Sequence, residues 1–162
     1  MRKLFLFYSI GMLITLSAFS QQEPEGWEFL KWKINRAEAE KEAGKISEIK
    51  RGSMLDANFD YNGMSTWLEF NNNDELIKAR QRKTFSVIQS KEAEEFFRSR
   101  MEYMISKYGK PSEKDHNRKD DVIIVKWEFP NTVITLEYDY KYKVIDEFGA
   151  GSYWVEIVYE YR

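Results

Sequence analysis

The chain has 162 residues, 25 basic and 27 acidic, and a net charge of −2. Its 43% hydrophobic content is enough for one core of ordinary size and calls for no second domain, and with no clustering of the basic residues a phosphate-binding patch, and so a nucleic-acid partner, is excluded. Cysteine is absent and there is one histidine, which excludes disulfides, thiol catalysis and clustered Cys or His zinc sites.

The N-terminus reads as a signal peptide over residues 1–20. Arg2 and Lys3 form the positive end, residues 4–16 are an apolar run broken by Ser9, Gly11 and Thr15, and Ala18 and Ser20 are the small residues a signal peptidase reads. A retained anchor is the competing reading, but the run is shorter than the roughly 20 residues that span a bilayer. Cleavage after Ser20 leaves 23 basic and 27 acidic residues, a net charge of −4. The expectation is a periplasmic or secreted protein without stable membrane insertion, with residues 21–26 as a polar tether containing Pro24 and residues 27–162 as a single domain.

Residues 27–33 look like a strand. Asn35 then suits a helix N-cap with Glu38 completing a capping box, Ile34 positioned to staple to Ala39, and the helix ending near Gly44. Residues 45–51 read as connection. Leu55, Ala57, Phe59 and Tyr61 alternate with polar residues up to Asn62-Gly63, the dipeptide of a type I′ hairpin turn, so strands are expected over 55–61 and 64–70. A second turn at 71–74 leads to a charged strand over 75–85, which belongs at an exposed edge or has one wet face.

Residues 90–111 carry the clearest signal. Ala93, Phe96, Phe97, Met101, Met104, Ile105 and Tyr108 recur at steps of three and four, which predicts a helix of about five turns with those residues on the core side and Glu94, Glu95, Arg98 and Glu102 in water. Ser90 is the expected N-cap, Gly109 the terminator, and Pro111 blocks continuation. Residues 112–121 read as a solvated loop holding the lone histidine. A second meander is expected over 122–129, 132–140 and 152–161, with turns at Pro130-Asn131 and 143–151. The predicted class is α+β: antiparallel sheet with two helices on one face, in the order β-α-βββ-α-βββ. Two units of helix plus three strands hint at an internal repeat, although no convincing identities align.

Trp32-Lys33 leading into 35–38, the helix end Tyr108-Gly109-Lys110-Pro111, Trp127, Ile134-Thr135-Leu136 and the closing run 155–159 resemble small exported bacterial domains of unknown function. Those are similar in layout to β-lactamase-inhibitor-like proteins and to small outer-membrane assembly lipoproteins, with helices on one face of an antiparallel sheet. The lipidated cysteine of the lipoproteins is missing here. The resemblance implies a fold and a tendency to bind partners, with no catalytic residues to carry over.

The inventory for chemistry is thin, and nothing in it singles out an activity. Asp115-His116 lacks a nucleophile elbow. Residues 149–152, Gly-Ala-Gly-Ser, lead into a strand and offer no helix N-terminus for phosphate. Residues 56–63 begin like a calcium loop, but Tyr61 and Trp67 stand where an EF-hand needs Gly and Glu, so a strand with Asp56, Asn58 and Asp60 on its wet face explains them better. Glu128, Glu137, Asp139, Glu156 and Glu160 contain an acid and base pair only if two approach within about 5 to 10 Å. Otherwise they are the polar half of alternating strands.

The expected function is that of an exported, cofactor-free, non-catalytic binding or envelope-accessory protein whose partner is an unknown protein or envelope component. A carbohydrate-binding module or weak glycoside hydrolase is the alternative. Alternation in the last strand puts Tyr153, Val155, Ile157 and Tyr159 toward the core and Trp154, Glu156, Val158 and Glu160 on the other face. Trp154 is the candidate binding anchor, with Glu156 and Glu160 beside it, against the alternative that it merely covers the sheet end. An aromatic row on this face favours glycan; a charged face with one aromatic anchor favours protein.

Overall fold

Side-chain periodicity, two in the strands and 3.6 in the helices, sorts this chain into one sheet with a buried and an open face. The computed structural model describes residues 22–45, 50–51, 56–117, 121–144 and 151–162. The signal-peptide reading of 1–20 lies outside the described residues. No described helix is long and apolar enough to cross a membrane.

The class is α+β, with antiparallel sheet and two helices, and the element order departs from the expected one. The tether is docked onto the domain: the Asn131 backbone N–H donates to Glu23 Oε1 at 2.7 Å and the Trp32 N–H to the Glu25 carbonyl at 3.0 Å. Residues 27–33 form no continuous strand. They make a miniature hairpin, β1 (Gly26–Trp27) and β2 (Leu30–Lys31), because Trp27 and Leu30 must both be buried and Glu28 turns the chain at φ 50°. A Cβ on Gly26 would lie 1.9 Å from the Leu30 carbonyl oxygen, so only glycine permits this approach.

Helix α1 (Arg36–Gly44) starts as expected, with the Glu38 N–H donating to Asn35 Oδ1 at 3.0 Å. The capping box is incomplete: the Glu38 carboxylate accepts from the Asn35 side-chain amide at 3.4 Å. Ala39 and Ala43 are fully buried, and Ile34 is partly buried against the same cluster.

Four strands follow α1, where three were expected: β3 (Lys50–Arg51), β4 (Asp56–Tyr61), β5 (Met64–Phe70) and β6 (Leu76–Ser86). Asn62 and Gly63, at φ 52° and 71°, make the expected tight turn. Helix α2 (Ser90–Tyr108) is preceded by a 3-10 turn, Val87–Gln89, and this moves the cap. Ser90 is the first helical residue; Ser86 N–H and Oγ–H donate to Gln89 Oε1 at 3.1 and 2.9 Å. Gly109 closes the helix at φ 79°, its N–H donating to the Ile105 carbonyl. The stripe is Ala93, Phe97, Met104 and Tyr108, with Phe96 and Met101 partly buried; Ile105, expected in the core, is 41% exposed.

Residues 113–117 are not loop. They form β7 (Glu113–Asn117), an edge strand paired with β8 (Val122–Glu128), which continues into β9 (Thr132–Val144) and β10 (Gly151–Tyr161). The eight strands lie in the order β3-β4-β5-β6-β10-β9-β8-β7, all pairs antiparallel. Each helix is thus followed by a four-stranded meander, and the two meanders join through their last strands. This places β6 at the centre and not at an edge: Lys78, Arg80 and Arg82 share its outer face, whereas Lys83 lies on the helix side with its Nζ 4.6 Å from the Phe96 ring centroid.

The core lies between the sheet and the helices. Trp127 is fully buried and donates to the Gly109 carbonyl at 2.8 Å, tying the end of α2 to β8. Trp27, also fully buried, donates to Gln81 Oε1 at 3.4 Å. Tyr159, 1% exposed, donates to Met104 Sδ at 3.6 Å, and burial holds its phenol well above the ordinary tyrosine range.

Candidate functional site

The last strand alternates as expected: Val155, Ile157 and Tyr159 are buried on the helix side, and Trp154, Glu156, Val158 and Glu160 stand on the outer face. Register lines up the outer residues in rows across the sheet. One row runs Ser65, Arg82, Glu156, Glu137 and Ile124; the next runs Trp67, Arg80, Val158, Thr135 and Lys126.

Glu156 is not a free ligand group. It is 7% exposed, and its Oε1 accepts from Arg82 Nε at 3.0 Å, with Arg82 Nη2 in ion-pair contact at 2.9 Å and Arg80 Nε 3.8 Å away. Arg80 also pairs with Glu69 at 3.4 Å. The two guanidiniums offset two carboxylates, which is why four charges sit side by side on neighbouring central strands. Glu160 is exposed and pairs with Lys78 at 3.4 Å. Trp154 is half-buried, with the Arg82 guanidinium 4.6 Å from its ring centroid. The expected trio therefore shares a face, but one member is locked in an ion-pair cluster and the anchor is capped by a cation. Trp67, also half-buried, borders a shallow outer cavity of about 240 Å³ with Glu69, Arg80, Arg82 and Glu156.

Glu137 and Glu156 are directly opposite in register on neighbouring strands. Glu156 is committed to its arginines, and the other carboxylates named from the sequence are also engaged. Glu128 meets Arg162 at 3.1 Å, and Glu137 and Asp139 each have partners.

A larger concavity of about 590 Å³ lies on the helix side and was not foreseen. Helix α2 contacts β10, β6 and β9, and its N-terminal half leaves an open channel beside β8 and β7. Phe97 and Met101 form the helix wall, and Ile123, Tyr138, Tyr140 and Tyr153 the sheet wall. Phe97 stacks on Tyr138 with ring centroids 5.2 Å apart and planes at 26°. Tyr138 touches Tyr140 at 5.9 Å, and His116 lies 5.6 Å from Tyr140 with Nε2 2.6 Å from the phenol oxygen.

The polar rim consists of Ser90, Lys91, Glu94, Arg98 and His116. Arg98 Nη2 donates to Glu94 Oε1 at 2.7 Å across one helical turn. Burial, with the nearby Glu94 carboxylate second, pushes the Tyr138 phenol up to about 12.

The sequence placed His116 in a loop and not on a strand beside the channel because 113–117, Glu-Lys-Asp-His-Asn, contains no apolar residue to mark alternation. Tyr138, Tyr140 and Tyr153 fall at core-side positions, and nothing local indicates that the helix stops short of covering them. A surplus of core-side aromatics beyond what one helix stripe can cover was the available signal.

Comparison with protein-family models, with curated proteins and with solved structures finds no match for this chain.

Proposed function

We propose that this is an exported, non-catalytic binding protein of the cell envelope or its surroundings, and that it receives an apolar or aromatic group of its ligand in the channel between α2 and β7–β9. The observation that carries this reading is the channel itself. Its volume of about 590 Å³ falls within the range of about 300 to 1,000 Å³ of small-molecule sites, and its walls are mostly rings and aliphatic chains with a few polar groups at the mouth. The resemblance to small exported domains with helices on one face of an antiparallel sheet supports the same class of role.

The test is titration of the mature chain with the neutral dye N-phenyl-1-naphthylamine, read by its fluorescence. Saturable binding is expected, and Met101→Gln, which puts an amide on the apolar helix wall, is expected to weaken it with the circular dichroism spectrum unchanged. Absence of saturable binding, or equal binding by a folded Met101→Gln variant, would refute this reading.

A second reading places a glycan on the outer face, and one observation favours it: Trp67 and Trp154 are both partly accessible there, beside planar Arg and Glu groups. The two tryptophans stand opposite Arg80 and Thr84, four residues apart along β6 with Arg82 between them on the same face, so they form no continuous row. Retention on immobilised envelope polysaccharide, lost in both Trp67→Ala and Trp154→Ala, would support this reading over the first.

A further inference from the structure

Resting on the channel as the binding site, we infer that its ligand is a free amphiphilic anion: an apolar or aromatic body seated against Phe97, Met101 and Ile123, with a carboxylate or similar acidic head at the Lys91 end. The distribution of hydrogen-bonding groups around the mouth points this way. Lys91 is exposed at the rim and has no ion-pair partner among the described residues. The rim's carboxylate, Glu94, is already neutralised by Arg98 at 2.7 Å. Its charge is therefore offset within one turn of helix, and the surplus at the mouth is cationic.

The hydroxyl groups add to the same bias. Tyr138 and Tyr153 each present a phenol with no hydrogen-bond partner among the described residues, and both line the channel. A tyrosine phenol is protonated at physiological pH and so can donate. Ser90 supplies a further hydroxyl at the rim. A mouth with one unpaired ammonium and several unclaimed donors is complementary to an acceptor-rich, negatively charged head, and charge-assisted hydrogen bonds are the strong ones. A neutral apolar ligand would leave these donors unmatched, and a cationic ligand would meet Lys91.

Two dyes that share one skeleton test the inference. N-phenyl-1-naphthylamine is neutral; 8-anilino-1-naphthalenesulfonate adds one sulfonate. The full mature protein is expected to bind the sulfonate about tenfold more tightly, a difference of about 1.4 kcal/mol. Lys91→Glu is expected to abolish that preference while changing the affinity for the neutral dye by less than about twofold. Equal affinities for the two dyes, or a preference that survives Lys91→Glu, would overturn the anionic head and leave the channel reading intact. Failure of both dyes to bind would overturn the channel reading itself. Ser90→Trp, placed on the exposed rim to obstruct the channel, is expected to weaken both dyes equally, and undiminished binding by this variant would show that they sit elsewhere. Cosedimentation with phosphatidylglycerol vesicles that is lost in Lys91→Glu would put the anion in a bilayer and overturn its assignment to a free amphiphile.

Discussion

Replacing Glu156 by Gln keeps the shape of the side chain and removes its charge, leaving Arg80 and Arg82 on the same face without the carboxylate between them. The expected cost follows from exposure. Breaking a fully buried ion pair by removing one partner costs about 3 to 5 kcal/mol, whereas an exposed pair is worth about 0 to 1. The Glu156 side chain is 9% exposed but its partners are 37% and 38% exposed, so water can re-solvate the arginines in part. A loss of about 1 to 3 kcal/mol is expected, which lowers the melting temperature of a domain this size by about 2 to 10 °C. The control is Glu160→Gln, whose side chain is 53% exposed at 3.4 Å from Lys78 and which is expected to cost less than about 0.5 kcal/mol. Thermal and urea unfolding of the two variants, at low salt and in 1 M NaCl, are the assays; the Glu156 effect is expected to persist in salt because the pair is shielded from counterions. If Glu156→Gln proves as harmless as Glu160→Gln, the carboxylate is not structural, and the view that it is unavailable to a ligand fails.

Phe97, 6% exposed and stacked on Tyr138, is expected to cost about 3 to 5 kcal/mol on replacement by Ala, whereas exposed Glu95→Ala is expected to cost well under about 1; equal shifts in urea midpoint would mean that the helix face is misassigned. Trp154→Ala is expected to lower the melting temperature by less than Glu156→Gln does, since its ring is half-buried and covered by the Arg82 guanidinium, and a larger drop would show the indole to be a packing element. Tyr138, with its pKa at about 12, keeps its proton in the folded state while the unfolded chain releases it near 10, so stability is expected to fall as pH rises from about 10 to 12. Tyr108 and Tyr159, also raised chiefly by burial, add to this decline. Urea midpoints at pH 9 and pH 11 measure it, and Tyr138→Phe is expected to reduce the drop; an unchanged drop would remove Tyr138 from the account.

Several features governed by interactions within a few residues were legible in the amino-acid order, although the Ser90 cap and the Asn35–Glu38 capping box, equally local, formed differently. The α2 stripe repeats within each turn, Asn62-Gly63 makes its turn from its own backbone preferences, and Asn35 caps a helix beginning at the next residue. Alternation in β5 and β10 likewise reports which side of the strand faces apolar neighbours, because adjacent side chains point to opposite faces. Short-range patterns were misleading where burial demanded something else. Trp27 and Leu30 both had to reach the core, which folded an apparent strand into a two-residue hairpin, and β7 pairs through its backbone although none of its side chains is apolar. The site belongs almost wholly to long-range pairing. Glu156 and Arg82 are 74 residues apart and meet because the last strands of the two meanders join at the sheet centre; His116 reaches Tyr140 across the neighbouring β8 in the same way. The channel beside α2 exists because one helix is narrower than the meander it covers, a mismatch between element dimensions that no local pattern of residues encodes.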